Sequence, residues 1–174
     1  MPSKTNSFLD RLKTTYTMLG FVPAENFYWS PVDKTIHYRL ATVESDSGQW
    51  ALLHEVAHSD LGHLSYGSDI ELLQFEVAAW HKALDLAKNY SVDISEDHVE
   101  ECLNTYRDWL HFRSTCPKCY LNGLQTLPTT YVCLNCQASW QVSSSRFCRP
   151  YRMQSRQQKT PLESPQAVFM QEIS

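Results

Sequence analysis

The chain has 174 residues, 43% of them apolar and 12% aromatic, and a formal net charge of −4. That is enough for a modest domain with a real core plus a small module. Residues 1–10 are polar with no apolar run of signal-peptide type, and no apolar stretch approaches the ~20 residues needed to span a bilayer. The expectation is a soluble, cytoplasmic protein without a membrane partner. In that compartment the six cysteines read as metal ligands and free thiols rather than disulfides.

Taken in order, residues 6–19 read as a helix, with Phe8, Leu12, Tyr16 and Leu19 at helical spacing and Gly20 as its stop. Residues 27–40 read as a β-hairpin turning at residues 30–34. Asp46-Ser47-Gly48 is a cap signal for a helix over 48–61, with Gly62 as terminator. Ser68-Asp69-Ile70-Glu71 is a capping box that opens a helix to about Asn89, and Ser95 caps a fourth reaching about Phe112. Residues 129–132 and 138–142 read as strands, and 150–174 as a disordered tail with a short apolar patch at 168–170.

The second helix carries His54-Glu55-Val56-Ala57-His58. Positions i and i+4 lie on one helical face, so His54 and His58 can grip one metal ion, while Glu55 reaches a water on that metal as general base. A catalytic zinc takes three protein ligands, and Asp60, His63, Asp69, Glu71, Glu76 and His81 are the candidates for the third. Glu76 sits in the apolar stripe of Leu72, Leu73, Ala79, Trp80 and Ala83, where a lone carboxylate is costly, so it is favoured. His63 is the rival ligand if Gly62 turns the chain back. Otherwise Asp60 or His63 can orient a ligand histidine. Tyr38, His63, Tyr66 and His81 are unranked donors to an oxyanion. The hairpin before the helix offers an edge, from 35–40 or their partner strand, to which a substrate peptide can add.

Cys116-Pro-Lys-Cys119 and Cys133-Leu-Asn-Cys136 are two knuckles at the separation of a four-thiolate zinc ribbon, so Cys116, Cys119, Cys133 and Cys136 are expected to hold a structural Zn2+. Cys102 reads as a small residue buried in a helix and Cys148 as a free thiol. Residues 1–108 hold eight Lys/Arg against seventeen Asp/Glu, whereas 109–160 hold seven and no acid. A basic module raises the prospect of an anionic partner, nucleic acid included. Arg113, Lys118, Arg146, Arg149 and Arg152, with Tyr120, Tyr131, Trp140 and Tyr151, are the residues that would track phosphates and stack bases.

Across residues 25–90 the chain resembles the ImmA/IrrE family of metallopeptidases, on His54-Glu55-Val56-Ala57-His58, Leu61-Gly62-His63 and the Glu71 to Trp80 segment. The resemblance implies His54, His58 and Glu76 as zinc ligands, Glu55 as catalytic base, and a regulatory protein, typically a repressor, as substrate. In size and order (helix, hairpin, motif helix, ribbon) the chain is also similar to SprT-like proteins, which are associated with proteolysis on DNA. Those use a third histidine further downstream, and no His stands between His63 and His81 here.

The expected protein is α+β: a small zincin-like domain over 1–112 with a short antiparallel sheet, a zinc ribbon over 113–149, and the tail. Its expected function is zinc-dependent peptide hydrolysis of a protein substrate with one catalytic and one structural zinc. Two other readings stand beside it: a SprT-like protease acting on DNA-bound proteins, and a non-enzymatic zinc-binding adaptor or nucleic-acid-binding protein.

Overall fold

Among the described residues a serine side chain opens every helix. In the computed structural model, which describes residues 7–143 and the backbone of 152–154, Ser7, Ser45, Ser68 and Ser95 cap α1 (Phe8–Thr15), α2 (Asp46–Asp60), α3 (Asp69–Tyr90) and α4 (Glu96–Ser114). Each hydroxyl accepts from the backbone N–H three residues on, at 3.1 to 3.4 Å, which satisfies a donor that the helix itself leaves open. Two boundaries differ from expectation. The first helix ends at Thr15, because the backbone N–H of Gly20 is drawn to the carbonyl of Lys34 at 2.9 Å and starts a strand. The cap of α2 is Ser45 rather than the 46–48 segment. Gly48 lies inside the first turn, where a Cβ would come within 1.8 Å of the Thr42 carbonyl oxygen.

The first sheet contains β1 (Gly20–Pro23), β2 (Tyr28–Ser30) and β3 (Thr35–Tyr38) in the order β1-β3-β2. β2 and β3 form the expected antiparallel hairpin, with Trp29 opposite Ile36. β1 runs parallel to β3, so the sheet is mixed where an antiparallel one was expected. The four residues Gly20–Pro23 are too few to show a strand period, and both ends look like breakers.

α2 is packed between this sheet and α3. Leu52, Leu53, Val56 and Ala57 are inaccessible to solvent, as are Ile36 of β3 and Ala79 and Ala83 of α3. Burial of each large apolar side chain contributes roughly 1.5–3 kcal/mol, so α2 is held from both sides by the core. Trp80 of α3 and Val99 and Leu103 of α4 extend the same cluster.

Beyond α4 the chain forms a four-stranded antiparallel sheet, β4 (Leu124–Leu127), β5 (Thr130–Val132), β6 (Ser139–Val142) and β7 (Arg152–Gln154), in that order. The tail expected to be disordered thus supplies a strand at 152–154; its other residues, and Cys148 and the 168–170 patch, lie outside the described residues. The two cysteine knuckles share one backbone design. Tyr120 N–H donates to the carbonyl of Cys116, and Gln137 N–H to that of Cys133, each at 3.0 Å, with Tyr120 and Gln137 in the left-handed region at φ 64° and 59°. The module's buried cluster is Cys116, Tyr131, Cys133, Trp140 and Val142, so two of its five members are cysteines.

A buried ion pair ties this module to the helical domain. Arg113, 1% exposed in the last turn of α4, meets Asp69, 3% exposed at the start of α3. Nε donates to Asp69 Oδ2 at 2.5 Å and Nη2 to Oδ1 at 3.2 Å. The Tyr131 hydroxyl donates to the same Oδ2 at 2.5 Å. Arg113 also donates to the carbonyls of Ser143 and Pro128, and Gln125 Oε1 accepts from Asp69 N–H at 2.8 Å. Among the described residues no helix is long and apolar enough to cross a membrane.

Candidate metal centre

Three side chains from two helices converge on one point. His54 and His58, one turn apart on α2, bring their Nε2 atoms to 3.1 Å. Glu76, two turns into α3, places Oε2 3.1 Å from His54 Nε2 and Oε1 3.6 Å from His58 Nε2. One ligand atom from each lies within 4.8 Å of the others, and His54 and Glu76 are buried. Nitrogens 3.1 Å apart can both sit at an ordinary metal–nitrogen distance of about 2.0–2.1 Å from a shared ion. The donor set, two imidazoles and a carboxylate, suits a divalent metal, and these residues can hold one.

The electrostatics follow from that crowding. Burial pushes the Glu76 carboxyl up, but hydrogen bonds and charge from His54 and His58 outweigh it and hold the group below the usual carboxylate range. Glu55 goes the other way. Burial raises it, with Glu76 adding to the rise, while His54, His58 and the Trp29 N–H oppose it. Its Oε2 accepts from the backbone N–H of Trp29 in β2 at 2.8 Å. A carboxylate so held has one oxygen tethered to the sheet and the other free for a proton.

His63 reaches the site by a turn, not as part of the helix. Gly62, at φ +66°, follows the last residues of α2. The N–H of Gly62 donates to the Ser59 carbonyl and that of His63 to the His58 carbonyl, both at 3.0 Å, which is the Schellman pair of bonds. The chain therefore folds back, and His63 Nδ1 lies 2.8 Å from His58 Nδ1. The second nitrogen of a ligand histidine is commonly engaged in this way, which fixes the ring. Phe75 of α3 stacks on His63 at 4.1 Å between ring centroids, and the Trp29 indole N–H donates to the His63 carbonyl at 3.0 Å. Burial, then His58, lowers His63 below the usual histidine value.

The remaining candidates for a third ligand are otherwise occupied. Asp69 pairs with Arg113. Glu71 accepts from Gly67 N–H at 2.6 Å. Asp60 accepts from the Tyr16 hydroxyl and lies 3.6 Å from Lys82 Nζ. His81 is exposed and lines a hollow between α3 and α4 with Asp85 and Glu96. Among the proposed oxyanion donors, Tyr38 is buried in the core and Tyr66 is half exposed on the loop after α2. β3 has neighbours on both sides, so residues 35–40 offer no edge; β1 and β2 are the two outer strands, and β2 is the one that packs beside α2.

The second cluster is Cys116, Cys119, Cys133 and Cys136, whose sulfurs lie within 4.8 Å of one another. Cys116 and Cys136 are 3.6 Å apart and Cys119 and Cys133 3.4 Å. The Leu121 N–H, ahead of the other thiols and Asn135, pulls Cys119 down to about 6. For Cys136 the Ala138 N–H pulls down, but burial and the three other thiols win and push it up to about 11. Four sulfurs this close share protons poorly and suit a thiophilic metal.

Two residues beside the His54–His58–Glu76 cluster are not legible in the sequence. Trp29 falls in the expected hairpin with nothing to single it out, yet its backbone N–H meets Glu55 and its indole N–H meets the His63 carbonyl. Trp80 stacks on His54 at 4.2 Å. Three residues read as nucleic-acid contacts, Arg113, Tyr131 and Trp140, are buried and face the inside of the protein. Lys118 is exposed and Tyr120 is 75% exposed, while the Arg146, Arg149, Tyr151 and Arg152 side chains lie outside the described residues. Cys102 is half-buried, with Sγ 3.6 Å from His98 Nε2. No protein-family model matches the chain, nor does any curated protein or solved structure.

Proposed function

We propose that this protein is a zinc-dependent peptidase with a zincin-like catalytic domain, cleaving a protein substrate at the His54–His58–Glu76 centre. The observation that carries the reading is Glu55. It stands on the ligand helix beside three convergent metal donors, with one carboxylate oxygen fixed by the Trp29 N–H. A purely structural metal site does not need such a group.

Zinc held by His54, His58 and Glu76 supplies Lewis acidity toward a water and a peptide carbonyl. Glu55, its affinity for a proton raised by burial, takes a proton from the attacking water and passes it to the leaving amide nitrogen. His63 holds the ring of His58 in place through Nδ1. β2 is the strand along which an extended substrate segment adds, so recognition rests on backbone as much as on side chains. The resemblance to ImmA/IrrE peptidases supports a regulatory protein, such as a repressor, as the substrate class. The four-cysteine cluster takes a second, structural zinc.

The test is Glu55→Gln assayed on a quenched-fluorescence peptide library, with zinc per chain measured alongside. A peptidase loses about 10²- to 10⁴-fold in turnover and keeps two zinc ions. Equal behaviour of variant and wild type sinks the reading in favour of an adaptor. Duplex DNA added to the same assay separates a SprT-like protease, whose cleavage it stimulates in a salt-sensitive way.

A further inference from the structure

The Arg113–Asp69–Tyr131 cluster lies outside both metal sites, yet it joins them. We infer that the four-cysteine module is a metal-loaded clamp on α3, and that its occupancy sets the metal affinity of the His54–His58–Glu76 centre through Asp69. The inference rests on the reading that both clusters take metal.

Asp69 and Glu76 are seven residues apart on α3. That is two turns, about 10 Å along the axis and within about 20° on the same face. A helix does not stretch or twist much over two turns, so whatever fixes Asp69 fixes Glu76. The partners of Asp69 come from α4 and the ribbon: the Arg113 guanidinium, the Tyr131 hydroxyl and the Gln125 amide oxygen. The Arg113 fork is in turn held by the carbonyls of Pro128 and Ser143 and by the face of Trp109, 4.5 Å from the guanidinium carbon. Trp140 Nε1 donates to the Arg113 carbonyl at 2.9 Å.

Every ribbon residue in that list owes its position to the ribbon's fold. The ribbon has a buried cluster of five residues, two of them metal-ligand cysteines. So small a core depends on its metal for stability. Without that metal, Tyr131, Pro128 and Ser143 lose their fixed places, and Asp69 and Arg113 are left as buried charges with incomplete partners. Removing a partner from a buried pair is strongly destabilising, so the start of α3 shifts toward water and takes Glu76 out of register with His54 and His58. The folded and unfolded ribbon are the two states, and both metal sites bias the choice between them. Linkage makes the effect reciprocal: occupancy of the histidine site tightens the cysteine site by the same factor.

Cobalt(II) reads both sites separately, since thiolate-to-cobalt charge transfer marks the cysteine cluster and weaker visible bands mark the histidine centre. The experiment titrates Co2+ into the metal-free full chain, wild type, Tyr131→Phe and His54→Ala/His58→Ala, with circular dichroism at each step. The expected result is two ions per wild-type chain, with the histidine site about tenfold tighter or more once the cysteine site is filled. The cysteine site should weaken by a similar factor in His54→Ala/His58→Ala. Tyr131→Phe, which leaves all seven ligands in place, should shrink the factor in both directions. Two ions that bind with independent affinities would overturn the clamp alone. One ion per chain, on the cysteines, would overturn the metal-centre reading and the clamp with it.

Discussion

The backbone N–H of Trp29 donates to Glu55 Oε2 at 2.8 Å, and the indole of the same residue donates to the His63 carbonyl at 3.0 Å. One residue of β2 therefore contacts both the proposed base and the loop that packs on His58, a proposed metal ligand. Trp29→Phe keeps the aromatic packing and deletes only the indole donor. A loss of about 1 kcal/mol in urea-unfolding stability is expected, with weaker metal binding at the histidine site. An unchanged midpoint and metal affinity would remove the Trp29 indole from the positioning machinery.

His63 touches His58 and is not one of the three residues whose ligand atoms converge. His63→Ala should leave two metal ions per chain at saturation but lower affinity at the histidine centre by about 10- to 100-fold. Glu76→Gln removes the only anionic ligand and should lower affinity further. Competition with a calibrated chelator measures both. Loss of the second ion altogether in His63→Ala would instead make it a ligand.

Gly62 carries the turn that brings His63 back. Its φ of +66° is strained for any side chain, although no atom lies within 4 Å of where a Cβ would point. Gly62→Ala should cost roughly 1 kcal/mol through backbone conformation alone, and Gly62→Asn less. If both variants unfold at the wild-type denaturant concentration, the turn is not under this constraint.

Glu55 gives a pH signature. Burial raises its pKa, so in protein stripped of the histidine-site metal the fold prefers the neutral acid. That contribution is complete below the unfolded value of about 4.3 and is lost as pH rises through the higher folded value. Glu55→Gln never ionises, so it should match wild type near pH 4 and have the higher Tm at pH 8. A Glu55→Gln variant that is less stable at pH 8 would contradict the assignment of a buried, ionised Glu55.

Local signals in the chain were strong where one short segment carries the whole instruction. The serine caps at 68 and 95, the hairpin around residues 30–34, the two histidines at i and i+4 and the paired cysteine knuckles all belong to that kind. Glu76 was legible because a lone acid in an apolar stripe asks for a partner. What could not be read depends on segments far apart in the chain. β1 is too short to show a period and exists only because β3 pairs with it. Trp29 meets Glu55 across 26 residues and Arg113 meets Asp69 across 44. Arg113, Tyr131 and Trp140 looked like a basic, aromatic surface because composition reports charge and not direction; the fold turns all three inward.

The junction at Arg113 has a further meaning for how this chain can be rearranged. The expected border between helical domain and ribbon falls next to Arg113, as though the ribbon were a cassette that might be cut away or exchanged. The residue beside that border is instead locked to one that lies 44 positions upstream. A chain ending at 112 would strand Asp69 without its cation, and a foreign ribbon would have to bring its own guanidinium to the same point or be joined to a helix with a different first residue. Recombination at this seam must change two distant places at once.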